Sequence, residues 1–471
     1  MSQREPRSNA GRGEGMRRAF AEFLTLPSLV ILAFLALAVI THALDQRRPE
    51  WLEPLRALLQ GHVFSQPAQT DHLLGTVASG VITVTSITFS MLLLAVQQTA
   101  SMMTQQVVDQ FLRRRPNQFY FGYFVGLGIY ALAILATINP PFNPVLGGTA
   151  ALVLTAVGLY MLLLLLYVTL DQMRPPVIVR AIHDHTLAAR ARQSELLIRT
   201  RRCSRSEAPV FEQIRSVCNG FVVQIDFRAL EAALADAGPQ MELDLRARIG
   251  TYVAYGDLIV DVRGCREGDI ARIRQAVVGA FRLERQRNLA RDPAYGVEQL
   301  VNIAWTSIST AKSNPAPGLL IIHCLRDMLA RWVGGLDGGI VAERDGALPI
   351  VYQDDLLPEM MDAFETLAVV SSESMQHQSY AAVINTLAGM LGRLPPELQR
   401  RTEDMVRRIL SVLGDHVLTA DLEEALHALT QALADAGCFE TAALVSKARQ
   451  KLGASVGRLG SRATRSTPQE V

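Results

Sequence analysis

Four stretches of this 471-residue chain are long and apolar enough to cross a bilayer, and all four end by residue 170. A spanning helix needs roughly 20 mostly apolar residues. The segments 26–44, 73–98, 119–138 and 145–170 meet that requirement. Pro27 falls in the first turn of the first segment, where its missing N–H costs nothing. Residues 175–471 read as an ordinary soluble protein. The expected fold class is an α-helical integral membrane region of about four spans, followed by an α+β domain with a small β-barrel-like module and a helical C-terminal part. The expected organisation is a tail over 1–25, a transmembrane domain over 26–172 and an Arg-rich juxtamembrane helix over 173–205. A β module over 206–265, a helical domain over 266–453 and a disordered tail over 454–471 follow.

Arginine in the short loops sets the orientation. Arg17 and Arg18 precede the first segment, and Arg113, Arg114 and Arg115 lie between the second and third. The third and fourth are joined by the uncharged turn Asn139-Pro140-Pro141-Phe142-Asn143-Pro144. Arg174 and Arg180 follow the fourth. Both termini are therefore expected in the cytosol, with the protein a multi-pass component of the inner (plasma) membrane. The first 25 residues are polar and Arg-rich without a small-residue cleavage site, so the first segment reads as an uncleaved anchor. The loop 45–72 carries Arg47, Arg48 and Arg56 beside Asp45, Glu50, Glu53 and Asp71, and has room for a re-entrant or interfacial helix. Arg113, Arg114, Arg115, Arg174 and Arg180 are candidate contacts to anionic lipid, each worth roughly 1 kcal/mol near the surface.

The second segment is unusual. Thr76, Thr83, Ser90, Gln97 and Thr104 recur every seven residues, with Ser79 and Ser86 three positions on. Such a repeat draws a polar or small stripe down one face of a helix. One reading is close helix packing, because small and hydroxyl residues let backbones approach. The other is a water-lined pore in a homo-oligomer. The candidate stripe is Thr76, Ser79, Thr83, Ser86, Ser90 and Gln97. No segment has an ionisable residue near its centre, which argues against a proton relay. Gly122, Gly126 and Gly128 in the third segment read as a tight helix contact.

In the soluble part, Gly220–Ile225, Met241–Ala247 and Ile249–Val262 carry strand patterns. Gly250 and Gly256 suit tight turns of a hairpin. A second hairpin is expected over 338–352, around Arg344-Asp345-Gly346. No lysine precedes Lys312, so the module cannot be a lipoyl or biotinyl carrier. Asp354 or Asp355 can cap the helix that follows. Cys203, Cys218, Cys265, Cys324 and Cys438 are scattered, which argues against a disulfide scaffold or zinc knuckle. His183 and His185 lie two apart on a helix and face different ways, so they cannot share an ion. No P-loop, nucleophile elbow or zincin motif occurs, and the formal net charge of +1 suggests no nucleic-acid partner. Catalytic, metal and cofactor residues are none, and no enzyme activity is expected.

Several segments together resemble a bacterial membrane protein family, domain of unknown function 2254. They are Thr83–Met91 running into Ala95-Val96-Gln97, then Asn117-Gln118, Gly122, Phe124 and Tyr130. They continue in the strand Gly220–Asp226, the Gly250 and Gly256 turns, Glu284-Arg285 and the run Asp292–Ala304. The family pattern continues as Ser-Pro-Gly-x-Asn-Asp-Pro, where this chain has Ser309-Thr310-Ala311-Lys312-Ser313-Asn314-Pro315. Any role of that loop is altered here. The resemblance implies membrane location and no particular activity. Two functional classes follow: an oligomeric channel or pore-like protein with a cytosolic assembly or gating domain, or a membrane-anchored sensor or scaffold whose cytosolic domain binds a partner.

Overall fold

The computed structural model describes residues 8–62, 64, 66–102, 115–140, 142, 143–172, 174–235, 240–309, 314–336, 347–413 and 417–455. It divides into two compact units, 1–174 and 175–471. Each is described separately.

The first unit is a helical bundle. Helix α1 (Ser8–Arg47) is followed by a 3-10 turn (Glu50–Leu52), α2 (Glu53–His62), α3 (Pro67–Met102), α4 (Arg115–Leu135) and α5 (Val145–Gln172). Four helices hold windows apolar and long enough to span a membrane: Leu24–Arg47, Pro67–Met91, Gln118–Leu135 and Val145–Val168. Helix α4 is the central one, packing on α1, α3 and α5. Its Tyr123, Phe124, Leu127, Tyr130 and Ile134 interleave with Val30 and Phe34 of α1 and Leu74 and Val81 of α3. The glycines of α4 explain the closeness. A Cβ on Gly122 would lie 2.8 Å from the Pro27 backbone, and one on Gly126 would lie 2.5 Å from the Phe34 ring. Helix α1 can approach only because nothing projects there.

The loop 45–72 is folded around a buried polar cluster. Asp45 is fully buried at the end of α1 and accepts the Leu146 and Gly147 N–H groups at 3.1 and 2.9 Å, in the first turn of α5. A carboxylate there satisfies two donors the helix cannot and complements its positive end. The Arg56 guanidinium of α2 is 3.9 Å from Asp45 and donates to its backbone carbonyl at 3.2 Å. Thr70 donates to the Asn143 side chain at 2.8 Å, and Asn143 donates to the Phe64 carbonyl at 3.0 Å. Two of the loop's charges, Asp45 and Arg56, thus tie α1, α2 and α5 together.

The second unit begins with α6 (Pro175–Arg199). Two sheets follow, built from β1 (Val210–Arg215), β2 (Gly220–Ile225), β3 (Glu242–Leu245), β4 (Tyr252–Val253), β5 (Leu258–Arg263), β6 (Phe281–Glu284) and β7 (Ile350–Tyr352). Helices α7 (Phe227–Leu234) and α8 (Ile270–Ala280) are interleaved with them. The rest is helical: α9 (Pro293–Ile308), α10 (Ala316–Val333), α11 (Leu356–Glu373), α12 (His377–Leu391), α13 (Pro396–Ser411), α14 (Ala420–Asp435) and α15 (Phe439–Ser455).

The expected barrel-like module is corrected by the sheet order. Among the described residues there are two open sheets, β1-β5-β3-β7 and β4-β2-β6. The Gly250/Gly256 segment is not a hairpin, because its strands β4 and β5 join different sheets. The two glycines do take positive φ, +91° and +86°. Of the second expected hairpin, residues 338–346 lie outside the described residues; its end, β7, pairs in parallel with β3, Leu243 opposite Ile350. Leu243, Leu245, Val260 and Val262 bury one sheet face against Phe227, Leu230, Ile273 and Val277. Glu242, Asp244 and Asp261 are buried on the other. Glu242 accepts from Arg201 and the Arg205 N–H, both at 3.0 Å, and Arg246 donates to Asp261 at 2.8 Å. Ion pairs thus replace solvent on the polar face.

Candidate functional site

Thr76, Ser79, Thr83, Ser86 and Ser90 all lie on the exposed face of α3. The opposite face, with Leu74, Ala78 and Val81, is buried in the bundle. Among the described residues, these five positions of the stripe are therefore not packed against the rest of the chain. Thr76, Thr83 and Ser90 donate to the carbonyls of His72, Ser79 and Ser86 at 2.8 to 2.9 Å. Each donor is satisfied inside the helix, and the oxygen lone pairs face outward as acceptors. Gly80, beside Ser79, is exposed and would meet nothing within 4 Å if given a Cβ. Gln97 belongs to α3 but its side chain lies outside the described residues, as do Arg113, Arg114 and the Arg115 side chain. Arg174 and Arg180 are exposed.

Exposure and composition disagree along α3. The Pro67–Met91 window has a mean hydropathy of 1.5 with 17 % of it buried, whereas Val145–Val168 on α5 is equally buried with a mean hydropathy of 2.5. The Gln118–Leu135 window is also modest, at 1.6, but 56 % of it is buried. Only in α3 do low hydropathy and high exposure coincide.

In the second unit, a cavity of about 420 Å³ opens between the N-terminal ends of α9 and α11 and the Arg248–Thr251 segment. Sequence positions far apart build it. Asp292 precedes Pro293 at the start of α9 and caps that helix through the Tyr295 N–H at 3.0 Å. Proline at the first position needs no partner for a missing donor. Arg287 grips Asp292 with two hydrogen bonds, 2.7 and 3.1 Å, also reaches Glu298, and stacks 4.8 Å above the Tyr295 ring. Gly250 makes this possible: a Cβ there would sit 2.5 Å from the Asp292 carboxylate.

Asp355 stands at the N-cap position of α11, but its side chain makes no cap bond. It pairs instead with Arg248. Asp354 holds Arg190 of α6 through bonds of 2.9 and 2.5 Å, and Arg190 is almost fully buried. Arg190 also donates to Gln193 at 3.0 Å. Tyr352 closes the floor. Its hydroxyl accepts the Ile249 N–H at 3.3 Å, and burial pushes its pKa up to about 12. Glu359, on the rim one turn into α11, is open to solvent, yet the protein around it holds its carboxyl above the ordinary range.

Other candidates settle elsewhere. His183 Nε2 lies 3.1 Å from Asp327 of α10 and Nδ1 3.0 Å from Asp184. Burial pushes the Cys324 thiol up, away from a reactive thiolate. All five cysteines are free. Among the described residues no group of three His, Cys, Asp or Glu side chains is placed to hold a metal ion. Sequence reading misses Arg248, Arg287 and Glu359 as cavity residues, and offers Asp355 only as a helix cap. The available signal was Asp292-Pro293 and Gly250, which lie in the segments carrying the family resemblance and meet in this cavity.

The comparisons agree with that resemblance. Residues 21–385 match the family described as "Predicted membrane protein (DUF2254)". The match ends within α12, so α13 to α15 follow it. Two curated relatives, "Uncharacterized protein Rv1290c" of Mycobacterium tuberculosis and "Uncharacterized protein Mb1321c" of Mycobacterium bovis, are each 24 % identical over 270 residues. That alignment covers 55 % of this chain, and the chain spans about half the length of the curated relatives it matches. No solved structure matches. With well over half its length matched, the chain belongs to the predicted membrane protein family DUF2254.

Proposed function

We propose that this protein is an oligomeric, channel-like component of the inner membrane, in which the hydroxyl face of α3 turns toward other copies and a polar path between them. The single observation that carries the reading is the combination of low hydropathy and high exposure in α3. Lipid tails reward apolar side chains, and α5 supplies them at the same exposure. A face of Thr76, Ser79, Thr83, Ser86 and Ser90 is suited instead to a neighbouring helix or to water. The reading places both termini and the second unit in the cytosol, where that unit assembles or gates the oligomer. It assigns no catalysis.

The test is the mass of the nanodisc-purified protein, followed by single-channel recording of the same sample. The expected result is a defined oligomer with reproducible conductance that Thr83→Lys alters. A silent monomer contradicts it. A second reading, a membrane-anchored ligand sensor, is favoured by one observation: segments that carry the family resemblance converge on the cavity between α9 and α11. Under that reading a silent protein would still respond to a soluble ligand.

A further inference from the structure

The cavity of the second unit has a lining whose charge is lopsided. Six carboxylates face it: Asp292, Glu298, Asp354, Asp355, Glu359 and Asp362. Two guanidiniums, Arg248 and Arg287, line it with them. Two more reach in from behind, Arg190 to Asp354 and Arg401 to Asp362. Four positive groups against six negative ones leave an excess of two negative charges.

The pairing is uneven as well. Arg287 is shared by Asp292 and Glu298, Arg248 holds Asp355, and Arg190 and Arg401 hold one carboxylate each. Glu359 alone among the six makes no side-chain hydrogen bond or close ion pair among the described residues; its backbone N–H donates to the Asp355 carbonyl, and the Arg248 and Arg287 guanidiniums act on its carboxyl only at longer range. Partial burial raises its proton affinity, against the pull of the Arg248 and Arg287 guanidiniums.

Apolar side chains share the lining with the carboxylates. Ala294, Val297 and Val301 follow one face of α9 at helical spacing. Glu359, Ala363 and Thr366 do the same on α11, so the free carboxylate stands directly over an apolar position. A ligand that fits must carry positive charge on a hydrocarbon stem.

An anion is the competing occupant, since α11 opens on the cavity with no side-chain cap and helix N-termini attract anions. The charge count decides against it. Both lining guanidiniums are already engaged by carboxylates, and an anion would enter among six negative groups. A bare metal ion is disfavoured too, because no three ligating side chains here are placed to hold one.

We propose that this cavity binds a small aliphatic polyamine, with one ammonium on Glu359 and the methylene chain along the Val297 and Ala363 wall. A cavity of about 420 Å³ is within the range of small-ligand sites. The inference stands apart from the oligomer reading, because it concerns side chains of the second unit alone.

The experiment is titration calorimetry of the full-length protein in zwitterionic nanodiscs with spermidine, with empty nanodiscs as the blank and pyrophosphate as a parallel ligand. The expected result is saturable spermidine binding, weakened about tenfold by Glu359→Gln and abolished by Ala363→Phe, which fills the wall. Circular dichroism and the oligomer mass of both variants should match the parent. Absence of saturable spermidine binding overturns the proposal. So does equal binding by Glu359→Gln, or binding of pyrophosphate in place of spermidine. Conductance of the parent is recorded in the same sample, so failure of the polyamine site and failure of the channel reading are separable.

Discussion

Helices α3 and α5 bury the same small share of their spanning windows, 17 %, yet differ in mean hydropathy by a full unit, 1.5 against 2.5. Helix α5 turns Val153, Val157, Leu159, Leu163 and Leu166 outward, a surface made for lipid. Helix α3 turns out Ile82, Ile87, Phe89 and Met91, but beside them hydroxyls whose protons are already committed to its own backbone. The two are also held differently. The first turn of α5 is fixed by the buried Asp45 carboxylate, whereas α3 packs on α4 and α5 and is tied at its start by the Thr70 bond to Asn143. The difference teaches that exposure in a single copy has two meanings here. Under the proposed reading, exposure on α5 marks contact with lipid, and exposure on α3 marks a surface that meets another copy.

The largest expected effect breaks the anchor of α5 and spares α3. Asp45→Ala strands Arg56, 4 % exposed, without its counter-charge and orphans two N–H groups. A loss of about 3–5 kcal/mol is expected for such a buried pair. Denaturant unfolding in detergent measures it, and hydrogen exchange should rise in the first turn of α5 while that of α3 is unchanged. A uniform rise would mean that the two helices are not held independently.

A second test asks whether the comparison is confined to the membrane unit. Tyr352 is neutral when buried, and its folded pKa of about 12 stands above the ordinary value of 10.0. Its contribution is therefore complete below pH 10 and is lost as pH rises toward 12, by about 2–3 kcal/mol. Thermal unfolding of the second unit should follow that slope, and Tyr352→Phe should flatten it.

Two glycines sharpen the comparison next. Gly126→Leu forces a side chain into the Phe34 ring and should cost about 1–3 kcal/mol by overpacking. Gly80→Leu on the open face of α3 meets nothing in its own chain. It should leave unfolding within about 0.5 kcal/mol of the parent, as surface changes do, while lowering the mass of the purified assembly. The smallest effect belongs to Leu163→Ser on α5, which should leave that mass unaltered.

The spans were legible because length and hydropathy suffice to find them. The stripe was legible for the same reason, since its seven-residue repeat is written in α3 alone. Which way it faces was not, because that depends on Leu74 and Val81 burying the opposite face of α3 in the bundle core. Asp45 could not be read as an anchor, for its partners lie a hundred residues away at Leu146 and Gly147. In the second unit, alternation located strands but not their neighbours. The turn between β4 and β5 reads as a hairpin until the sheets show each strand pairing elsewhere. The cavity was half visible. Asp292-Pro293 and Gly250 stand out locally, whereas the Arg248–Asp355 pair joins positions 107 apart and carries no local signal.

The central claim, that the exposed face of α3 meets another copy, is tested most directly by disulfide trapping in membranes. Cys203 and Cys218, the exposed native thiols, are first replaced by Ser. Thr83→Cys on α3 and Leu163→Cys on α5 are then oxidised side by side. The account predicts covalent dimers through position 83 and none through position 163. Trapping at 163 alone, or no trapping at either position, would contradict it.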